Sequence, residues 1–285
     1  MTEVLEKAHA KINLTLDVLG KRPDGYHDLR SVMQTVSLCD DVAVAVNTGR
    51  PWRVSAGCPG VPDGAENLAW RAAEAFEAEA GAGLNGVDIR IVKRVPSQAG
   101  LGGGSADAAA VLRALNRLCG GRLDGEALRR AAARVGSDVP FCVRGGTALA
   151  EGRGERLTAL PPMPDVWFVL AKPDFSASTP ALFRRLDERG GRGRPRTDEM
   201  LRALAAGDPA AIGAAMGNDF EAVLAQTHPA LAALTAALRA HGALGACLTG
   251  SGSVAYGLFA SAEAAGRAAE ALASGGMRTY LAKNV

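Results

Sequence analysis

The stretch VPSQAGLGGGSADAAAVLRALN, from Val95 to Asn116, places four glycines within five positions and then continues in a helical pattern. Glycine in regular structure is disfavoured by roughly 0.5–1 kcal/mol relative to alanine, because it loses more freedom on folding. A strand, a glycine loop and a helix beginning near Ser105 would direct unpaired backbone N–H groups at one point. Because bare glycine backbone lets an anion approach closely, the stretch predicts a phosphate-binding loop. The structural alternative is a tight strand-to-helix connection that needs only a positive φ.

Two common phosphate loops do not match these glycines. The P-loop pattern requires a lysine after its last glycine, and none follows here. The dinucleotide pattern G-x-G-x-x-G also fails, since its third glycine would fall on Ser105 or Asp107. The loop is therefore either a nucleotide-binding loop of another class or a structural connection between strand and helix.

Composition and charge narrow the class of protein. The 285 residues are 48% hydrophobic and 22% charged, with a formal net charge of +2. This balance predicts a globular protein with no extended nucleic-acid or membrane surface, and leaves room for a small anionic substrate. The five cysteines are scattered and show no CxxC spacing, which predicts a reducing compartment without disulfides. With no signal-peptide pattern and no long apolar run, the expected location is the cytoplasm.

The pattern of apolar residues predicts a mixed α+β fold. KINLTLDV, DVAVAV and VDIRIVKRV alternate as half-buried strands do, and DVWFVLAKP is typical of a buried strand. NLAWRAAEAFEAEAG predicts a helix capped by Asn67. Residues 197–240 are helical in pattern, with breaks near residues 207–209 and 228–229. The segment LPPMPD suggests two domains, residues 1–160 and 161–285, and the basic segment Arg189–Arg196 suggests a solvated mobile loop.

Two motifs together resemble the GHMP kinases, the superfamily of galactokinase, homoserine, mevalonate and phosphomevalonate kinases. PSQAGLGGGSADAA is similar to their second motif and LTGSGSVAYGLF to their third. The resemblance implies an N-terminal domain like domain 2 of ribosomal protein S5, a ferredoxin-like C-terminal domain, and phosphoryl transfer from ATP. The ATP-binding residues that it implies are Pro96, Ser97, Gln98, Ala99, Gly100, Leu101, Gly102, Gly103, Gly104, Ser105 and Ala106, with Asn67, Leu68 and Lys93 on the adenine side.

The polar face of the first strand and a nearby turn contain the candidate catalytic pair. Alternation puts one apolar set on the core side (Ile12, Leu14, Leu16, Val18) and one polar set opposite (Lys11, Asn13, Thr15, Asp17). On pattern alone the polar set faces water or lines a site, and Asp138 in GSDVPFCV is a helix or turn cap. The resemblance instead makes Lys11 and Asp138 catalytic, with the carboxylate accepting the hydroxyl proton.

A narrower resemblance concerns the acceptor substrate. RPDGYHDL contains a turn signal that would present Tyr26 and His27 at a loop tip. The segment from Lys7 to Leu38 and GSDVPFCVRGGTALAEGRGE resemble one GHMP branch, which phosphorylates a hydroxyl of a cytidine diphosphate-linked sugar alcohol in isoprenoid precursor synthesis. That branch implies substrate contacts at Asn13, Tyr26, His27, Thr179 and Phe183, with cytosine stacked between Tyr26 and Phe183.

The sequence departs from relatives in the region where a metal would be bound. Relatives place a serine able to ligate magnesium where Gly103 and Gly104 stand, so Mg²⁺ is expected with ATP but its protein ligands stay unidentified. Asp107 is open to three roles: a helix cap, a metal contact or a loop brace. The rival functions are another GHMP kinase acting on homoserine or a mevalonate derivative, an RNA-binding module, and an inactive phosphate-binding regulator. We expect a monomer or weak homodimer whose partners are small molecules.

Overall fold

The computed structural model describes residues 2–175, 177–189 and 193–285. The strands are β1 (Glu3–Asn13), β2 (Thr15–Lys21), β3 (His27–Val46), β4 (Arg53–Ser55), β5 (Val87–Val92), β6 (Thr147–Gly152), β7 (Arg156–Ala159), β8 (Trp167–Lys172), β9 (Gly217–Asn218), β10 (Gly245–Leu248), β11 (Ala255–Phe259) and β12 (Arg278–Lys283). The helices are α1 (Leu68–Ala80), α2 (Gly103–Leu118), α3 (Gly125–Val135), α4 (Val139–Arg144), α5 (Thr179–Arg189), α6 (Thr197–Ala206), α7 (Pro209–Ala215), α8 (Glu221–Thr227), α9 (Pro229–Ala240) and α10 (Ala262–Ser274).

Helix boundaries follow local sequence signals. Asn67 caps α1 by accepting a hydrogen bond from the N–H of Ala69 at 2.9 Å, as predicted. Helix α1 ends at Gly81, whose φ of 56° is the left-handed conformation that glycine adopts without steric strain. The predicted helix breaks also hold, because α6 ends at Gly207 and α9 begins with Pro229.

The predicted strand KINLTLDV is interrupted in the structure. β1 ends at Asn13 and β2 begins at Thr15, while the N–H of Leu14 donates to the carbonyl of Val32 at 2.7 Å. The apolar set is buried as expected, but so is the polar set of Lys11, Asn13, Thr15 and Asp17, at 0–4% exposure. The water-facing alternative is therefore wrong, since these side chains have protein partners; Asp17, for example, accepts from the N–H groups of Arg196 and Thr197.

The described chain forms two compact units, of which the first holds residues 2–11, Cys39–Ser97 and Gly102–Gly145. In this unit β5 pairs in parallel with β4 and antiparallel with the second half of β3. Helix α2 contacts α1, α3 and α4, and it buries a run of small and aliphatic side chains from Ala106 to Leu115. Small side chains let neighbouring helices pack closely around α2.

The second unit holds residues 12–38, residues 98–101 and the described part of residues 146–285. Its antiparallel sheet has the order β10-β11-β8-β12. Along the chain, helices connect β8 to β10, a turn connects β10 to β11, and α10 connects β11 to β12. This is the ferredoxin-like arrangement that the family resemblance implies. The first half of β3 pairs with β2 and β6, and β2 pairs in parallel with β9. The α+β class is confirmed, whereas the domain boundary at residue 160 stays a prediction.

The structure also bears on the cysteines, on membrane spans and on the basic segment. All five cysteines are free thiols. No helix in the described part of the chain combines the length and apolar character that a membrane crossing requires. The segment Arg189–Arg196 was predicted to be a mobile loop, and its residues 190–192 lie outside the described residues.

Candidate active site

Lys11 and Asp138 form an ion pair in the first unit. The Nζ of Lys11 lies 3.4 Å from Oδ2 of Asp138, and the side chains are 6% and 38% exposed. Asp138 stands at the N-cap position of α4, yet its side chain makes no cap hydrogen bond. The cap interpretation is therefore wrong. The carboxylate of Asp138 faces a buried cation and keeps a solvent-accessible surface, which suits a group that exchanges a proton.

Gly102 lets Lys11 pass close to the start of α2. A Cβ atom at residue 102 would lie 3.0 Å from Cγ of Lys11, and the φ of Gly102 is +67°. Both conditions favour glycine, because a side chain would be strained by the backbone and would press on the lysine stem. The sequence analysis explains this glycine by the close approach of an anion to the backbone. The close approach of the Lys11 side chain is a second reason for glycine at this position.

The N-terminus of α2 is suited to bind an anion. The first helical hydrogen bond runs from the N–H of Ala106 to the carbonyl of Gly102 at 2.8 Å, so the N–H groups of residues 103–105 precede it. The first turn contains no acidic side chain, and Gly102 provides no side-chain cap. The positive end of the helix dipole therefore remains without a neutralising carboxylate in the first turn of α2.

A buried triad of Asp40, Lys93 and Asp107 lies beneath this turn. The Nζ of Lys93 is 2.5 Å from Asp40 and 2.7 Å from Asp107, and none of the three side chains is more than 6% exposed. Asp40 also accepts from the backbone N–H groups of Arg94 and Val95. The sequence interpretation missed Asp40. Its signal is an aspartate within a strand, next to the apolar run that follows Asp41, because a strand interior disfavours aspartate unless it is paired.

The triad carries one more carboxylate than it has cations. Burial raises the pKa of Asp107 to about 7; Lys93 opposes that rise and Asp40 adds to it. Burial alone would lower the pKa of Lys93, but the two carboxylates raise it above its ordinary value. Oδ1 of Asp107 has no hydrogen-bond partner among the described residues. The helix-cap role of Asp107 is wrong, because Gly102 is the N-cap of α2 and Asp107 is the fifth residue of the helix. Asp107 braces Lys93, which follows β5, and its contact with a metal stays a prediction.

Two of the loop glycines pack directly against the predicted adenine-side residues. A Cβ at Gly103 would lie 3.1 Å from Cγ1 of Val95 and 3.4 Å from Nζ of Lys93. A Cβ at Gly104 would lie 3.4 Å from Cδ1 of Leu68. The glycines thus serve close packing of α2 on its neighbours, a reason that neither the phosphate loop nor the positive-φ alternative includes.

Asn67, the third adenine-side candidate, has both ends of its amide engaged. Its Oδ1 caps α1, and its Nδ2 donates to the carbonyl of Pro62 at 2.7 Å. The structure brings Leu68 and Lys93 to the start of α2, and it places Asn67 one residue before Leu68 as a cap. The role of these three residues toward ATP stays a prediction.

The middle of the glycine loop lies in the second unit, against the strand-turn-strand of the third motif. A Cβ at Gly100, whose φ is +78°, would lie 2.1 Å from the carbonyl oxygen of Thr249. The hydroxyl of Thr249 donates to the carbonyl of Gly100, and the N–H of Val254 donates to the carbonyl of Ala99. The second and third motifs therefore meet here as backbone segments. Among the other loop residues, Leu101 and Ala106 are buried, Pro96 and Ser105 are half-buried, and Ser97 and Gln98 are exposed.

Asn13 is integrated into the same turn. Its Oδ1 accepts from the N–H of Gly250 at 3.1 Å, and its Nδ2 donates to Oγ of Ser31 at 2.8 Å. Its carbonyl accepts from the hydroxyl of Tyr256 at 2.7 Å. These bonds position the third-motif turn, so contact between Asn13 and substrate stays a prediction.

The predicted aromatic residues are arranged differently from the expected clamp. Tyr26 is 58% exposed at the turn, as predicted, and the guanidinium of Arg153 lies 4.9 Å from its ring centre. His27 is buried at 8% exposure, so its expected place at an exposed loop tip is wrong. The ring of His27 stacks on Phe183 with 4.4 Å between centroids and 15° between planes. One face of Phe183 is thus covered by a protein side chain.

Two residues of the second unit lie beside this aromatic pair. Asp187 accepts a hydrogen bond from Nε2 of His27 at 2.7 Å, and this bond lowers the pKa of Asp187. Nothing in the sequence marked Asp187, because an aspartate in an exposed helix is ordinary. Thr179 donates from its hydroxyl to Ser251 at 2.7 Å, which links the start of α5 to the third motif.

No group of three or more metal-ligating side chains occurs among the described residues.

Comparisons with known proteins agree with this arrangement. The model of the GHMP kinases N terminal domain matches residues 67–146, and that of the GHMP kinases C terminal matches residues 200–276. The 4-diphosphocytidyl-2-C-methyl-D-erythritol kinase of Geobacter sulfurreducens is 43% identical over 270 residues, which is 95% of each chain. That of Moorella thermoacetica is 46% identical over 268 residues, which is 93% of each chain.

Solved structures extend the comparison. A crystal structure of 4-(cytidine 5'-diphospho)-2C-methyl-D-erythritol kinase has a TM-score of 0.85 and 36% identity, and the match covers 99% of both chains. Homoserine kinase from Cytophaga hutchinsonii has a TM-score of 0.73 at 19% identity, covering 98% of this chain and 95% of its own, a likeness of fold alone. The chain is an ATP-dependent phosphotransferase, and it belongs to the GHMP kinase family, in the group of the 4-diphosphocytidyl-2-C-methyl-D-erythritol kinases.

Proposed function

We propose that this chain transfers the γ-phosphoryl group of ATP to the 2-hydroxyl of 4-diphosphocytidyl-2-C-methyl-D-erythritol, giving the 2-phosphate and ADP. This is the acceptor in the names of relatives that are 43–46% identical over most of the chain. The reaction belongs to the non-mevalonate route to isoprenoid precursors, and we expect it to take place in the cytoplasm.

The observation that carries the proposal is the Lys11–Asp138 pair at 3.4 Å. Phosphoryl transfer to an alcohol needs a carboxylate that accepts the hydroxyl proton and positive charge that stabilises the transferring group. Asp138 pairs with the buried ammonium of Lys11 and keeps 38% of its side-chain surface exposed, which fits the role of base. Lys11 holds the carboxylate in place and supplies positive charge to the phosphoryl group.

The start of α2 supplies the nucleotide's phosphates with backbone donors. The N–H groups of residues 103–105 and the helix dipole favour an anion at this point, with glycine backbone open to close approach. Within the first unit, Leu68 and Lys93 lie against Gly104 and Gly103 and so support this segment. Binding of ATP here requires no lysine within the loop.

Mg²⁺ accompanies ATP in this proposal. Magnesium prefers carboxylate, water and phosphate oxygens, and the carboxylates that fit are Asp138, which is partly exposed, and Asp107, whose buried Oδ1 has no described hydrogen-bond partner. When bound, the ion neutralises charge on the phosphates. We expect a monomer or weak homodimer.

Residues of the second unit bind the cytidine end of the acceptor in this proposal. Tyr26 offers an exposed ring face for stacking, while His27, Asn13, Thr179 and Phe183 provide a polar and aromatic surround. Stacking on an aromatic side chain stabilises a base by roughly 1–3 kcal/mol. Homoserine and mevalonate contain no ring that such a surface would bind.

A coupled ADP-release assay tests the function. The purified chain is given ATP and one of three acceptors: the cytidyl substrate, homoserine or mevalonate. We expect kcat/KM for the cytidyl substrate to exceed the other two by at least about 100-fold, since stacking and base hydrogen bonds act together. Comparable efficiency with homoserine or mevalonate would contradict the acceptor assignment and leave the kinase activity in place.

A further inference from the structure

Helix α5 fixes the ring of His27 with two residues that lie one helical turn apart. Phe183 stacks on the imidazole plane at a centroid distance of 4.4 Å, and Asp187, four residues later, lies 2.7 Å from Nε2. Residues four apart share one face of a helix, so a single element sets both the tilt and the rotation of the ring. With its side chain only 6% exposed, His27 has little freedom to reorient.

The hydrogen bond to Asp187 also sets the position of the proton on His27. An ionised carboxylate can only accept a hydrogen bond, and the pKa of Asp187 is lowered chiefly by this bond, so Asp187 is ionised at neutral pH. Nε2 must then carry the hydrogen. In a neutral imidazole the other nitrogen, Nδ1, is consequently an acceptor.

Cytosine and uracil differ in what they offer to such an acceptor. Cytosine carries an exocyclic amine, a hydrogen-bond donor, where uracil carries a carbonyl oxygen, an acceptor. A fixed acceptor on the protein therefore pairs with the amine and faces the carbonyl lone pairs without a hydrogen between them. Sites built to hydrogen-bond one group reject the analogue that lacks it, because a polar atom is left unpaired.

We propose that Asp187 is a positioning residue that determines base specificity: by holding His27 in the tautomer with an acceptor Nδ1, it makes the site select a cytidine over a uridine diphosphate. This inference rests on the proposed function, in which His27 meets the base. It adds a residue that never touches the substrate and that acts through the proton position on another side chain.

The alternative role for Asp187 is a structural link between α5 and the strand β3. A structural link would affect the binding of both nucleotides equally when it is removed. A tautomer effect would change their ratio. The two roles are therefore separated by measuring binding of both nucleotides to the same set of variants.

The key variant is Asp187→Asn, which keeps the size of the side chain. An amide can either accept from Nε2–H or, after a flip, donate to Nε2, so it supports both tautomers of His27. The matched control is Lys21→Met, because Lys21 pairs with the same carboxylate at 3.2 Å and is 59% exposed. This control removes the ammonium group that pairs with Asp187 and leaves the hydrogen bond between Asp187 and His27 in place.

Binding of CDP and of UDP is measured by calorimetry on the full chain with saturating ADP present. We expect the wild-type protein and Lys21→Met to bind CDP roughly 5- to 150-fold more tightly than UDP. This range corresponds to the hydrogen bond gained with cytosine and the polar atom left unpaired with uracil. In Asp187→Asn the preference should fall to within about threefold. Two-bond ¹H–¹⁵N correlation NMR spectra of the free enzyme should show that Nε2 of His27 is protonated and Nδ1 is unprotonated. The signal of His27 is identified by its loss in the variant His27→Gln.

Three results would overturn the inference: equal binding of CDP and UDP by the wild-type protein, an unchanged ratio in Asp187→Asn, or a proton on Nδ1 in the free wild-type enzyme. Failure of the proposed function is recognised separately. A protein that selects CDP over UDP but releases no ADP with the cytidyl substrate contradicts the function alone. A protein that phosphorylates the cytidyl substrate but binds both nucleotides equally contradicts the tautomer inference alone.

Discussion

The Nζ of Lys11 lies 3.4 Å from Oδ2 of Asp138, and the lysine is buried while the aspartate keeps more than a third of its side-chain surface exposed. The buried cation holds one side-chain oxygen of the carboxylate, and the exposed surface leaves the carboxylate reachable by a hydroxyl group. Asp138 makes no cap hydrogen bond on α4. Its position is therefore explained by the pairing with Lys11 and not by the helix that it precedes.

Replacing Asp138 by asparagine should reduce turnover by about 10²- to 10⁴-fold, because the shape is kept and the proton acceptor is lost. The affinity for ATP should change little, since the start of α2 binds the phosphates. Both quantities are measured by steady-state kinetics and calorimetry. Asp124→Asn is the control, because Asp124 is an N-cap whose side chain accepts from the N–H groups of Glu126 and Ala127. Near-normal turnover in Asp138→Asn would exclude Asp138 as the base.

Replacing Gly103 by valine should weaken ATP binding by more than about tenfold and also lower the melting temperature by several degrees. A Cβ at this residue would press on Val95 at 3.1 Å and on Lys93 at 3.4 Å, and overpacking of this kind costs about 1–3 kcal/mol. Calorimetry with ATP and thermal unfolding measure the two effects.

Gly266→Val is the matched control for that prediction. Gly266 also lies in a helix, α10, but a Cβ there would meet nothing within 4 Å. We expect the control to bind ATP normally. If Gly103→Val also binds ATP normally, the glycine loop is a structural connection only, and the phosphates are bound elsewhere.

Asp107 should make the protein less stable as the pH rises toward neutrality. Its folded-state pKa, about 7, lies above its ordinary 3.8, so the folded state binds more protons between these values and its stability falls from about pH 4 to about pH 7. The free energy of unfolding is measured in urea at several pH values for the wild-type protein and Asp107→Asn. The difference between the two should decline across this window, by up to about 4 kcal/mol.

The control for the pH series is Asp124→Asn, since backbone hydrogen bonds lower the pKa of Asp124. Its difference from the wild-type protein should be flat above about pH 5. A flat difference for Asp107→Asn as well would mean that the attraction to Lys93 outweighs burial and keeps Asp107 ionised throughout.

Replacing Tyr26 by alanine should raise the KM for the cytidyl substrate by about 5- to 150-fold, the effect of one lost stacking face of roughly 1–3 kcal/mol. Because Tyr26 is 58% exposed, its removal should leave the melting temperature nearly unchanged. Tyr26→Phe keeps the ring and should cost far less. An early-melting Tyr26→Ala protein with an unchanged KM for the cytidyl substrate would show that the ring is a packing residue.

Local structure was largely predictable from the sequence. The cap at Asn67, the helix breaks near Gly207 and Pro229, and the exposed turn at Tyr26 all follow from contacts within a few residues. Such contacts depend on backbone conformation that neighbouring side chains determine directly. The glycine loop was identified for the same reason, because strand, loop and helix signals stand next to one another.

Two features of the candidate sites were beyond sequence reasoning: Asp40 meets Lys93 across 53 positions, and Asp187 meets His27 across 160. The pairing of Asp138 with Lys11 was expected only through the family resemblance. In the sequence, an aspartate of a solvated helix cannot be told from an aspartate of a buried ion pair. Only the surroundings in the folded protein decide whether burial or a nearby cation controls the charge of the carboxylate. The sequence by itself thus determined the helices, strands, caps and family motifs, through short-range hydrogen bonding and hydrophobic periodicity. The tertiary structure alone decided which charges are buried together, because the packing of distant elements creates the low-dielectric surroundings in which those charges must pair.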